Sequence, residues 1–431
     1  VSEQSATVAS IGLSVGYYGD DVTGSVDVLL QFARHGVRGR LFIGTPPRAA
    51  LREASETSAV IGIAGIARSL APDPLDAEVR PALEALHDLQ PGIVQYKACS
   101  TADSSPSVGS LGRVIEIARD VFGERTVPVL FAQPDFGRYT VFGHHFAAEG
   151  GVVHRLDRQP TMSQHPSTPM DDSDLVAHLS RQTRLPVGGL PLTGYGSADD
   201  LAAAIDSSTD TAVVLDALDD AHLALIGEAM TQLATERHPL FAIGSGGLSR
   251  ALALGHAPVP LSAEPAPPGP VLAISGSRSP QTRRQLDAAA AAGWAVLPLS
   301  PDPALHTRVI GSLREGRSVA LSSADAPAFA GATDVLADIA AATTAVARAA
   351  LAAGATARLI ICGGDTSSRV VRTLGIASVS IAANPGTNVV VLRAHSDDAA
   401  VDGVELLLKG GQVGDDDLFE SIRVGNGRLV G

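Results

Sequence analysis

Lysine is nearly absent from this chain. Of its 32 basic residues, two are lysines, Lys97 and Lys409, and the rest are arginines. Cysteine is as scarce: Cys99 and Cys362 are too few for a disulfide framework or a cysteine zinc site, and fit a reducing compartment. Positive charge is in deficit, with a formal net charge of −14. That balance argues against partners such as nucleic acid or an anionic membrane surface. No apolar run of membrane-spanning length stands out, and the opening V-S-E-Q-S-A-T lacks the basic-then-apolar pattern of a signal peptide.

What is present describes a globular protein. Hydrophobic residues make up 45% and charged residues 18% of 431 positions, too long a chain for one ordinary core. The proline-rich stretch A-P-V-P-L-S-A-E-P-A-P-P-G-P at 257–270 reads as a linker, dividing a domain at 1–256 from one at 271–431. In both halves short apolar runs alternate with longer amphipathic ones. This predicts an α/β fold of two domains, each a largely parallel sheet with flanking helices.

Strands are predicted at 13–18, 41–43, 60–63, 93–96, 127–131, 213–215 and 240–243, then at 271–274, 296–299, 319–321, 359–362, 389–392 and 406–408. Helices are predicted at 25–35, 75–89, 108–121, 219–235 and 334–353, the last from its alanine content. The segment 136–169 is aromatic, histidine-rich and locally basic, and reads as an insertion or hairpin over one end of the first sheet.

Open α/β sheets bind ligands beyond the carboxyl ends of their strands. Both lysines stand at such ends, where an ammonium on a flexible stem suits a phosphate or carboxylate; chance survival in an arginine-rich chain is the plain alternative. After the first strand come Asp20 and Asp21, then Thr23 and Gly24 entering a helix. Helix capping explains one aspartate; two suit a polyol, a metal or proton transfer. Lys97 is followed by Ser100 and Thr101, a cation and two hydroxyls for an oxyanion, or a merely solvated loop. In the insertion, a strand over 139–146 would point His144 and His145 to opposite faces, so at most one faces the site. Arg138, Arg155 and Arg158 add positive charge there.

The second half supplies three glycine and hydroxyl loops at strand ends: S-G-S-R-S-P-Q-T from Ser275, G-G-D-T from Gly363, and K-G-G-Q-V-G from Lys409. Glycines let backbone approach phosphate, and helix starts favour anions. None matches G-x-x-x-x-G-K-[ST] or G-x-G-x-x-G.

Taken in order, these motifs resemble the four-carbon acid sugar kinases. Asp20-Asp21-Val22-Thr23-Gly24 is similar to the family's D-D-x-T-G loop, and Lys97 with Ser100 and Thr101 to its K-x-D-S-T segment. Ser275-Gly276-Ser277 with Ser279, Pro280 and Thr282 resembles S-G-S-x-S-P-x-T. Gly363-Gly364-Asp365-Thr366 resembles G-G-[ED]-T, and Lys409 to Gly414 resembles K-S-G-N-F-G. Three departures stand out: Cys99 replaces an aspartate, T-A-D-S replaces T-L-R-G with loss of an arginine, and K-G-G-Q-V-G loses a serine.

The resemblance implies an ATP- and Mg2+-dependent phosphotransferase, with the active site in a cleft between the domains. It implies catalysis by Asp20 or Asp21 on a sugar acid held by Thr23, Lys97, Ser100 and Thr101, to which the basic insertion adds Arg138 and His144 as candidates. The nucleotide would meet Ser275, Gly276, Ser277, Gly363, Gly364, Asp365, Thr366, Lys409 and Gly411, with Asp365 a candidate for magnesium or ribose. A cytoplasmic enzyme, with homo-oligomerisation open, completes the expectation. Two other readings remain: a nucleotide-free epimerase or lyase using Asp21 and His144, and a non-catalytic sensor of nucleotide or sugar acid.

Overall fold

The structure, a computed structural model, describes residues 14–234, 239–255, 269–324, 326, 329, 334–386 and 389–425. The chain divides into two compact units, Val1–Val259 and Pro260–Gly431. Residues 257–268 of the predicted linker lie outside the described residues.

The first unit carries β1 (Val15–Gly19), β2 (Gly39–Ile43), β3 (Val60–Ala64), β4 (Ile93–Lys97), β5 (Val127–Leu130), β6 (Arg138–Val141), β7 (His144–Glu149), β8 (Val152–Arg155), β9 (Val187–Leu190), β10 (Ala212–Leu215) and β11 (Leu240–Gly244). Eight of these form one parallel sheet in the order β2-β3-β1-β4-β11-β5-β10-β9. Helices cover it, so strands such as β1, β3 and β4 are buried along their whole length. Burial on both faces is why they read as continuous apolar runs. β9, V-G-G-L, escaped prediction because two glycines leave no apolar run.

The insertion folds as a separate antiparallel sheet, β6-β7-β8. The strand predicted over 139–146 is in fact broken by a two-residue turn at Phe142 and Gly143, both at positive φ (50° and 77°). Buried Asp216, just beyond β10, accepts both turn amides, from Phe142 N at 2.6 Å and Gly143 N at 3.0 Å. This fixes the mirror-type turn that tight hairpins favour.

The second unit carries β12 (Leu272–Ser275), β13 (Ala295–Pro298), β14 (Val319–Ser322), β15 (Arg358–Cys362), β16 (Ser378–Gly386), β17 (Val389–His395) and β18 (Glu405–Lys409). Their order is β13-β14-β12-β15-β18-β17-β16, parallel through β18 and antiparallel beyond. β16, S-V-S-I-A-A-N-P-G, is only partly buried and so gives no apolar run.

The helix Val335–Ala352 departs from the expectation about apolar length. At 18 residues and mean hydropathy 1.5 it is long and apolar enough to cross a membrane, by length and composition alone. Here half of it is buried, through Ile339, Ala342, Val346, Ala350 and their neighbours, as in the core helix of an α/β unit.

Candidate functional site

Strand register assembles the first group. Gly19 of β1 pairs with Ala64 of β3 and Lys97 of β4, and Lys97 with Gly244 of β11. The segments after these strands therefore emerge side by side at one sheet edge. Asp21 caps the helix Val22–Ala33, its carboxylate accepting from Gly24 N. Asp20 is buried at 3% exposure, while the Asp21 side chain is 31% exposed.

Both aspartates meet one cation that the sequence motifs did not mark. Arg68 lies just past β3, in the short turn Ala67–Ser69. It forks onto Asp20, with Nη2 to Oδ1 at 2.8 Å and Nε to Oδ2 at 3.2 Å, and its Nη1 meets Asp21 Oδ2. Burial raises the Asp20 pKa, the Arg68 charge opposes this, and the Asp21 charge adds to it. The signal that could have found Arg68 is its place beyond the carboxyl end of a buried parallel strand, the place that singled out Asp20-Asp21 and Lys97.

Lys97 is buried at 4% exposure and its Nζ donates to Ala98 O at 2.8 Å. A Cβ on Gly24 would stand 3.2 Å from that Nζ, so Lys97 lies against the loop that carries Asp21. Asp21, Lys97 and Arg68 thus meet at Gly24, and Asp20 joins them through the Arg68 fork.

The other candidates divide. Ser100 is half-buried and Thr23 is exposed. The Thr101 hydroxyl donates to Asp103 Oδ1 and lies 3.1 Å from Cys99 Sγ. Arg138 spends Nη1 on the carbonyls of Phe136 (2.8 Å) and Ala148 (3.2 Å), so it ties the insertion together; among the described residues its Nε has no hydrogen-bond partner. His144 turns to Ser173 Oγ, 3.0 Å away, and is not brought to this group. It is His145 that faces the loop after Lys97. Fully buried, it contacts Ser100 O through Nε2 at 2.8 Å and Thr140 Oγ1 through Nδ1 at 2.9 Å. Farther along the same loop, Ser104 Oγ lies 2.9 Å from Nε2 of His178, in the helix Leu175–Ser180, and Gln182 Nε2 lies 2.9 Å from the same nitrogen.

These two histidines make a pH prediction. Burial lowers each from the ordinary 6.5 to about 4, with Arg138 adding to the effect at His145 and Arg181 at His178; the Ser100 and Ala102 carbonyls, Asp171 and Asp172 oppose it. Between pH 6.5 and 4 the unfolded chain takes up protons that the folded chain refuses. The stabilisation is therefore complete above pH 6.5 and lost as pH falls toward 4. At roughly 1.4 kcal/mol per pKa unit, each histidine costs about 3 kcal/mol across that window. Urea midpoints measured from pH 7 to 4.5 should fall steeply for the parent and less for His145→Gln/His178→Gln. Equal slopes would assign the acid lability elsewhere.

In the second unit, register aligns Ser275 with Ser322 and Cys362, and Cys362 with Lys409. The three glycine loops come after adjacent strands and are stitched together. Gly276 N donates to Cys362 O and Gly363 N to Lys409 O, each at 2.9 Å. These two amides are thus engaged at the sheet edge, and the loops around them keep their other amides. The glycines are needed for close approach. A Cβ on Gly276 would lie 2.4 Å from Thr366 Oγ1, and one on Gly411 would lie 2.8 Å from Ser277 Oγ. Gly363 has φ +116°, a backbone few side chains tolerate. Ser275 Oγ accepts from Ser277 N at 3.2 Å, and Ser277 Oγ from Ser279 N at 3.2 Å.

Lys409 is buried at 1% exposure, with Nζ donating to Thr282 Oγ1 at 3.1 Å. Burial lowers its pKa, partly offset by Cys362. Ser279 and Thr282 both donate to Gly411 O, locking the first loop onto the third. Beside the first loop lies a pocket of about 130 Å³ lined by Ser277, Arg278, Arg283, Asp287, Val296 and Ser322 among others. Gly364 opens the helix Gly364–Thr373, and a Cβ there would meet nothing within 4 Å among the described residues. Asp365 lies in the first turn of that helix, but its side chain is outside the described residues. Among the described residues no group of three or more His, Cys, Asp or Glu side chains could hold a metal ion.

Comparison with known proteins matches both units. A sugar-binding N-terminal domain family covers residues 15–252, and a nucleotide-binding C-terminal domain family covers residues 272–419. The chain is 34% identical to a 3-oxo-isoapionate kinase of Paraburkholderia graminis, over 99% of this chain and 97% of that one. It is 34% identical to a 3-oxo-tetronate kinase of Methylobacterium radiotolerans, over 68% of each. Two crystal structures share the fold, each with TM-score 0.78. One is a Salmonella typhimurium LT2 protein described as a tRNA synthase, 24% identical over 97% of this chain and all of that one. The other is a Haemophilus influenzae protein, 21% identical over 95% of this chain and all of that one. With both domains matched in order and a kinase relative aligned nearly end to end, the chain belongs to the four-carbon acid sugar kinase family and is a sugar-acid phosphotransferase.

Proposed function

We propose that this enzyme transfers the γ-phosphoryl group of ATP to a hydroxyl of a short sugar acid of the 3-oxo-isoapionate or 3-oxo-tetronate type. The observation that carries the reading is the charge set at the end of β1. Asp21 keeps a solvent-accessible carboxylate, Arg68 pairs with it, and Lys97 lies alongside. Asp21 orients the acceptor hydroxyl and takes its proton. Lys97 and the Ser100 hydroxyl bind the acid's carboxylate, the role of a positioned point charge and donor. Lys409 and the amino end of the helix Gly364–Thr373 bind the phosphates. Magnesium, when bound with the nucleotide, would neutralise phosphate charge, with Asp365 in the first turn of that helix as the residue that would hold it. Phosphoryl transfer asks the protein mainly for positioning and charge. The same reading places the enzyme in the cytoplasm, where Cys99 and Cys362 stay free thiols.

The epimerase reading needs Asp21 and His144 together, and His144 is engaged with Ser173 instead. A sensor would bind without turnover. ADP release across a panel of four- and five-carbon 3-oxo and polyhydroxy acids decides between them. At least one acid should raise ADP formation well above the acid-free rate. The same low rate with every acid would overturn the kinase reading.

Gly364→Val tests the nucleotide side. Its Cβ meets nothing within 4 Å among the described residues, so the fold should survive, yet it stands at the helix start where phosphate must approach. Calorimetry should show ATP binding lost and acid binding kept. Unchanged ATP affinity would remove this helix start from the nucleotide site.

A further inference from the structure

We propose that His145 is a positioning residue for the sugar acid: its imidazole grips the Ser100 carbonyl and so sets where the Ser100 hydroxyl and the segment after Lys97 lie. The inference deepens the sugar-acid reading above and rests on it.

Hydrogen-bond chemistry fixes the tautomer. A backbone carbonyl can only accept, so His145 Nε2 carries the hydrogen and donates to Ser100 O at 2.8 Å. Nδ1 then holds a lone pair, and the Thr140 hydroxyl must donate to it at 2.9 Å. Thr140 and His145 are both fully buried. Thr140 is itself held by a two-way backbone bridge to Ala217, with N to O distances of 3.1 and 3.0 Å. His145 N donates to Ser173 O at 2.8 Å. The imidazole therefore stands on a rigid base that runs from the end of β10 through the insertion.

The gripped loop needs holding. Ala102, two residues beyond Ser100, is buried with φ +52°, a left-handed conformation that an alanine does not choose unaided. Ser100 lies three residues after Lys97 and one before Thr101, within the loop proposed to meet the acid. A shift of about 1 Å in such a group is enough to cost on the order of a hundredfold in rate. The insertion thus acts on the acid through Ser100, by way of His145, rather than through the side chains of Arg138 or His144.

The test compares His145→Phe, which fills the space without the donor, with His145→Gln, whose amide can still donate to Ser100 O. In the Phe variant the KM for the acid should rise at least tenfold while the KM for ATP stays within twofold. Hydrogen exchange of the backbone at 99–104 should speed up at least tenfold. The Gln variant should stay within threefold of the parent in all three readouts. Nitrogen NMR of the parent should show His145 as the Nε2–H tautomer. Unchanged acid KM and exchange in the Phe variant would overturn the proposal, and so would an Nδ1–H tautomer. If the Phe variant fails to fold, the Gln variant and the tautomer decide, and a tenfold loss in Gln with unaltered exchange counts against it. Should the parent turn over no acid while the Phe variant still loosens the loop, the kinase reading falls and the anchor stands.

Discussion

Asp21→Asn should fold like the parent and lose most of its turnover. Asparagine caps a helix as well as aspartate, so the start of the helix Val22–Ala33 survives the change. What disappears is the carboxylate that can accept the hydroxyl proton, and removing a general base costs about 10²- to 10⁴-fold. The loss should appear in kcat with the sugar acid, while ATP binding measured by calorimetry stays near the parent's. Asp20→Asn should behave differently. Asp20 is buried and gripped by the Arg68 fork, so its loss should register first as lower stability. Near-normal turnover in both variants with the true substrate would show that neither aspartate serves the acceptor.

Arg68→Met should be the most destabilising single change at this edge of the sheet. It leaves Asp20 buried without its counter-charge, and breaking such a pair from one side costs about 3–5 kcal/mol. The urea midpoint should fall by the corresponding amount with little change in slope. Replacing Asp20 by asparagine in the same chain should restore part of the loss, because the stranded charge is then gone. A loss below about 1 kcal/mol would mean that the pair behaves as an exposed ion pair, and that Arg68 does not organise the two aspartates.

The legibility of the site depends on where its signals lie in the chain. Asp20-Asp21, Lys97 and the three glycine loops each sit at the end of a buried parallel strand. Such strands read as apolar runs, so the loops after them could be named from sequence. Arg68 comes after an equally clear run, V-I-G-I-A, but has no second charge beside it to draw attention. The insertion was the least legible part. Its composition marked it as different, yet the break at Phe142-Gly143 depends on Asp216, far along the chain, accepting two turn amides.

By itself the sequence determined the α/β alternation, the strand ends whose loops are candidates for chemistry, and the charge-poor, lysine-poor character that makes two buried lysines noticeable. These are local properties: periodicity, propensity and the residue just past a run. Tertiary structure alone decided how the paired candidates are placed. It buried Asp20 and left Asp21 open, set Arg68 between them, turned His144 away and His145 inward, and spent the amides of Gly276 and Gly363 on neighbouring strands. Adjacent residues share a sequence context but not a direction. Which one reaches the ligand is fixed by sheet register and by partners tens to hundreds of positions away, and local pattern carries no record of those.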